Sequence, residues 1–300
     1  MKLALNNPAG YSPNRQAGIA AMLCFFMMSL PAAAETIEAR LPSGITAYAN
    51  FDIGKPSLPA ILVLHGFLQT HQSPPMSTLA DNLASRGYTV LSPTISLNIN
   101  RRNQSMACEA AHTHKMEEGV AEVSFWVNWL NDKGYKNIIP VGFSSTSNIE
   151  ILLYNAQGSH PAIKRAVLIS LNPLIRDSAE RSRVRAAMSA KRQADSKKLG
   201  FYSLGYCKNN YAATASSYLS YAEYDDSKVL ELLKQTPVPT EVILGSTDTI
   251  LPRHWVSRIK ALNTKVTIID DANHFFYGAN EFDLAAEIEN ILKNFSIQKS

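Results

Sequence analysis

Three side chains have the types needed for nucleophilic acyl chemistry: Ser144, Asp248 and His274. A serine hydroxyl is a weak nucleophile until a base takes its proton, and imidazole is the side chain suited to do so. A carboxylate behind the imidazole fixes its tautomer and stabilises the imidazolium. Ser144 lies in the turn Gly142-Phe143-Ser144-Ser145-Thr146. Asp248 closes Gly245-Ser246-Thr247-Asp248, and His274 follows Asp270-Asp271-Ala272-Asn273. An earlier segment, His65-Gly66-Phe67-Leu68, follows an apolar run in the same way. Singly, each residue has a plain structural reading: a helix N-cap for Ser144, a turn cap for Asp248, a hydrogen-bonded surface histidine for His274. Their joint arrangement carries the chemical reading.

That arrangement depends on the elements around it. Thr36–Leu41 and Ile45–Phe51 alternate about Pro42-Ser43-Gly44 and predict a β-hairpin. Pro59–Leu64 is continuously apolar, as in a strand buried on both faces. Further strands are predicted at Tyr88–Ser92, Asn137–Val141, Ala166–Leu171, Thr240–Leu244 and Lys265–Ile269. Helices are predicted at Met76–Arg86, His114–Asn131, Ser145–Ala156, His254–Leu262 and Glu281–Phe295. In the second of these, Met116, Val120, Val123, Val127 and Leu130 form one apolar stripe. Strands alternating with helices call for a mostly parallel sheet covered on both faces. Open sheets of that kind bind ligands at the carboxyl ends of their strands, where all four chemical segments fall.

In these motifs and their order, Ser144, Asp248, His274, the chain resembles the α/β-hydrolase superfamily across nearly its whole length past the N-terminal region. The resemblance implies an α/β-hydrolase fold, with a helical cap inserted between strands 6 and 7 of the sheet at about residues 174–238. It implies nucleophile, acid and base roles for Ser144, Asp248 and His274. It also implies an oxyanion hole formed by the backbone N–H groups of Phe67 and Ser145, the latter at a helix N-terminus where negative charge is favoured. One departure stands out. The usual motif is G-x-S-x-G, and here Thr146 holds the last position. A β-branched residue there is expected to widen the turn or misplace the serine hydroxyl. A serine at 144 argues against the dehalogenase chemistry that uses aspartate.

The function expected is a serine hydrolase acting on carboxylic esters of small-molecule acyl substrates, through an acyl-enzyme and without a cofactor. The alternatives are a peptidase or amidase of the same fold, a thioesterase, or a non-catalytic binding protein whose turn has been spoiled by Thr146. The composition, 46% hydrophobic and 18% charged over 300 residues, is that of a globular chain. A net charge of +4 does not by itself argue for nucleic acid, and no nucleic-acid partner is expected. CxxC, HExxH, P-loop and GxGxxG motifs are all missing, so common metal, nucleotide and dinucleotide classes lose their usual support.

Residues 1–34 read as a signal peptide. Lys2 and Arg15 are the only charges before Glu35, Gly18–Leu30 is apolar, and Pro31-Ala32-Ala33-Ala34 offers a cleavage site after Ala34. The destination expected is periplasmic or secreted, with the hydrolase domain spanning 35–300. Cys24 lies within that segment but lacks a good lipobox. In an oxidising compartment the remaining pair, Cys108 and Cys207, is expected to form a disulfide tying the cap to the main domain.

Two segments invite more than one reading. The loop before His114–Asn131 carries Arg101, Arg102, His112 and His114. Hydrogen bonding at the helix start is favoured over metal ligation, so no metal site is assigned; a milder reading has the histidines or Arg101 shaping an acyl or carboxylate pocket. Residues 175–198 hold eight basic side chains against three acidic ones. They read as a solvated helix, with weak contact to an anionic substrate or membrane surface as the functional alternative. The aromatic cluster from Phe201 to Tyr224 reads either as a pocket for an amphipathic substrate or as a small cap core.

Overall fold

The computed structural model describes residues 34–175, 178–191 and 197–297. The signal-peptide reading falls outside the described residues except at Ala34, as do Arg176, Asp177, Arg192 and Asp195 of the basic stretch. Among the described residues, no helix is long and apolar enough to cross a membrane.

The chain enters through strands β1 (Glu35–Arg40) and β2 (Thr46–Asp52), the antiparallel hairpin that the alternation predicts. The sheet is completed by β3 (Ala60–Leu64), β4 (Thr89–Pro93), β5 (Ile138–Phe143), β6 (Ala166–Ile169), β9 (Thr240–Gly245) and β10 (Lys265–Ile269). Its order is β1-β2-β4-β3-β5-β6-β9-β10. β2 is antiparallel to β4, and every later neighbour is parallel.

Strand periodicity sends alternate residues of β3 to opposite faces. Leu62 and Leu64 join the core beneath α2 (Met116–Asp132) and α3 (Ser144–Ala156). Ile61 and Val63 join the core beneath α1 (Met76–Ser85) and α8 (Asn280–Ile297). All are at most 2% exposed, and such burial contributes roughly 1.5–3 kcal/mol per side chain. The predicted stripe of α2 is buried throughout.

Between β6 and β9 the insertion contains α4 (Ser178–Lys191), α5 (Ala215–Ala222) and α6 (Asp226–Gln235), and α7 (Trp255–Lys260) follows β9. The insertion also contains an antiparallel hairpin, β7 (Leu199–Leu204) and β8 (Cys207–Thr214), which the helical expectation did not include. Its register shifts between Tyr202 and Leu204, and such a shift blurs period-two alternation in the sequence. Most of the aromatic cluster forms a small core. Tyr211, Tyr218 and Tyr221 are at most 1% exposed, and Tyr202 stacks on Tyr218 at 4.3 Å. A Cys108–Cys207 disulfide joins the loop before α2 to this hairpin.

Candidate active site

β5 runs directly into α3, and Ser144 occupies the junction with φ of +62°. A non-glycine residue in the left-handed region is costly and is held only by surrounding structure. Here Phe143 N–H donates to Ser147 Oγ at 2.9 Å, and Asn148 Nδ2 ties the first turn of α3 to Ile169 O at 2.7 Å. Gly142 is required just before the turn. A Cβ there would lie 2.6 Å from Asn148 Oδ1 and 2.7 Å from Ile151 Cδ1.

The turn brings Ser144 Oγ to 2.8 Å from His274 Nε2. His274 follows β10, and its Nδ1 lies 2.7 Å from Asp248 Oδ2 in the loop after β9. The other carboxylate oxygen accepts from Ile250 N–H at 2.8 Å. The Asp248 side chain is fully buried, and the His274 side chain is 5% exposed. Ser170 Oγ donates to the His274 carbonyl at 2.8 Å and holds that loop against the end of β6. With Asp248 on Nδ1, a neutral His274 presents Nε2 to the serine hydroxyl as an acceptor, the arrangement a general base needs.

Above Ser144 opens a cavity of about 660 Å³, whose lining includes Phe67, Ser145, Asn172, His274 and residues of the β7–β8 hairpin. Ser145 is the second residue of α3, where backbone N–H groups lack intrahelical acceptors. Phe67 lies in the loop after β3, with the Tyr206 ring 5.5 Å from its own.

That loop is held by a group the sequence reading passed over. Arg102, 4% exposed, donates to the carbonyls of Ile95 at 2.9 Å, Gln104 at 2.9 Å, Leu68 at 3.4 Å and Gln69 at 2.5 Å. Burial lowers its pKa to about 10, so it stays charged at neutral pH. His65 assists from the other side. Ile95 N–H donates to Nε2 at 3.0 Å, which puts the ring proton on Nδ1, 2.9 Å from Gly66 O. Burial, then the Arg102 charge, lower the His65 pKa to about 3 and keep the ring neutral.

Arg101, in contrast, pairs with Glu38 at 2.9 Å on the outer surface and does not line the cavity. His112 stacks on Tyr211 at 4.3 Å, and His114 Nδ1 meets Tyr221 Oη at 2.8 Å. Neither histidine reaches the cavity above Ser144, so the acyl-pocket reading of these three residues is corrected. Among the described residues, no group of three or more His, Cys, Asp or Glu side chains could hold a metal ion.

No family model matches the chain, and no curated protein matches its sequence. Solved structures do match. The thioesterase domain from the curacin biosynthetic pathway superposes with a TM-score of 0.59 at 15% identity, covering 87% of this chain and 99% of that one. Est1E from Butyrivibrio proteoclasticus gives 0.60 at 16%, covering 88% and 100%. The alpha/beta hydrolase GrgF from Penicillium gives 0.66 at 14%, covering 87% and 98%. The chain has the α/β-hydrolase fold.

Within the α/β-hydrolase fold, the departure at Thr146 now has a physical account. Thr146 is 8% exposed and lines a small second cavity of about 10 Å³ with His65, His114, Glu150 and Tyr221. The β-branched side chain sits beside this space, and Ser144 keeps its left-handed φ and its 2.8 Å approach to His274. The expectation of a widened turn is not met in these distances.

Proposed function

We propose that the chain is a serine hydrolase of carboxylic esters. The observation that carries this reading is the continuous relay from Ser144 Oγ through His274 to the buried Asp248 at the floor of an open cavity. Ser144 Oγ attacks the ester carbonyl while His274 Nε2 takes its proton. The tetrahedral oxyanion is held by the N–H groups of Phe67 and Ser145, each worth about 3–4 kcal/mol in the transition state. Collapse expels the alcohol, protonated by His274. Water, deprotonated by the same imidazole, then clears the acyl-enzyme. The solved structures that share this fold include a thioesterase domain and an esterase from Pyrococcus furiosus, which supports a hydrolase reading.

We place the mature protein in the periplasm or outside the cell, on the strength of the apolar N-terminal run and the Cys108–Cys207 disulfide. Fluorophosphonate labelling and hydrolysis of p-nitrophenyl acetate and butyrate test the reaction. Both are expected in wild type and lost by at least about 10⁴-fold in Ser144→Ala. A folded wild type that neither labels nor turns over ester would refute catalysis and favour a binding protein.

A further inference from the structure

Three of the cations on α4 have different fates. Arg181 is spent on the cap itself: it pairs with Asp225 at 2.9 Å and donates to the carbonyls of Ala222 and Glu223. Arg185 pairs with Glu223. Arg183, between them, turns the other way and lines the cavity that contains Ser144 and His274. Lys208, on β8, lines the same cavity. Among the described residues, neither Arg183 nor Lys208 has a carboxylate within ion-pair distance. The one acidic residue of the lining, Glu180, is committed elsewhere. Its Oε2 accepts from Ser203 N–H at 3.0 Å and from the Tyr218 hydroxyl at 3.3 Å.

Burial orders the cavity. Leu174, Ile175 and Leu204 of its lining are 1–5% exposed, whereas Arg183 and Lys208 are exposed to solvent. The lining therefore combines buried apolar side chains with two solvent-exposed cations. A purely apolar ester would leave both cations unused. An ester that continues through an apolar stretch to a negative group would use both parts.

Resting on the hydrolase reading above, we propose that the substrate is an ester carrying a second, anionic group, in the simplest case a carboxylate, recognised by Arg183 and Lys208. Solvent-exposed charge pairs give modest selectivity that salt screens, and two such contacts amount to about tenfold in kcat/KM at low ionic strength. The full mature chain is assayed with mono-4-nitrophenyl adipate against 4-nitrophenyl hexanoate, and with 4-acetoxybenzoate against phenyl acetate, after subtracting spontaneous hydrolysis. The first pair puts the carboxylate in the acyl group, the second in the leaving group. In at least one pair the anionic-to-neutral ratio of kcat/KM should drop about tenfold in Arg183→Gln/Lys208→Gln, and should fall in wild type as salt is raised to 0.5 M. Arg185→Gln, which removes a paired cation from the same helix, should leave the ratio as in wild type. Ratios that stay the same in the double variant for both pairs would overturn the proposal. Absence of fluorophosphonate labelling together with absence of turnover of all four esters would instead overturn the hydrolase reading itself.

Discussion

Replacing Glu150 by glutamine removes a buried acid from behind the Ser144 turn, and the effect should depend on pH in a way the structure dictates. Glu150 is on α3, 2% exposed, and packs so closely on α2 that a Cβ on Gly119 would lie 2.1 Å from its Oε1. Burial, and then the neighbouring Glu122, raise its pKa from 4.5 to about 8. The folded state thus holds a proton that the unfolded chain gives up above pH 4.5. Stability from this group is fully present below pH 4.5 and is lost as pH rises towards 8. The slope reaches about 1.4 kcal/mol per pH unit, so the accumulated loss between pH 5 and pH 8 is about 3 kcal/mol. Glutamine has the same shape and no proton to lose. Urea unfolding followed by tryptophan fluorescence at pH 5 and pH 8 measures the difference. Glu150→Gln should gain about 3 kcal/mol on wild type between the two pH values. Glu122, with a pKa raised to about 7 mainly by burial, remains in both proteins and largely cancels. A wild-type-to-variant difference that does not change with pH would refute the argument that Glu150 is held protonated.

Arg102→Met leaves the carbonyls of Ile95, Gln69 and Gln104 without the guanidinium, while Leu68 O keeps Met106 N–H, and should cost about 3–5 kcal/mol of stability. Because two of the carbonyls Arg102 binds, those of Leu68 and Gln69, belong to the loop that carries Phe67, kcat should fall about 100-fold with a smaller change in KM, measured with p-nitrophenyl butyrate; near-wild-type kcat would remove Arg102 from that role. Cys108→Ser/Cys207→Ser opens a cross-link spanning 99 residues, worth about 4–5 kcal/mol by loop-closure entropy, read as a lower urea midpoint. Intact mass of exported wild type should begin at Glu35 with both thiols oxidised; two free thiols would contradict the disulfide.

The sheet, its flanking helices and the order Ser144, Asp248, His274 could be read from the chain because their signals are local. A buried strand is an apolar run, α2 carries its stripe at helical spacing, and the site residues follow strand ends within a few positions. The hairpin β7–β8 was missed for a local reason too, since its register shift and buried tyrosines blur the two-residue alternation. Arg101 and Arg102 are adjacent and chemically identical, yet one meets Glu38 at the surface and the other is sealed under the β3 loop. Glu122 and Glu150 lie in helices whose sequences are compatible with solvated acids; only tertiary packing encloses them, Glu150 against Gly119 of α2 and Glu122 against Ser96 of the loop after β4. Arg183 differs from Arg181 and Arg185 solely in the direction in which α4 turns it. Periodicity is written in neighbouring residues, whereas the cost and use of a charge depend on which distant surface folds over it.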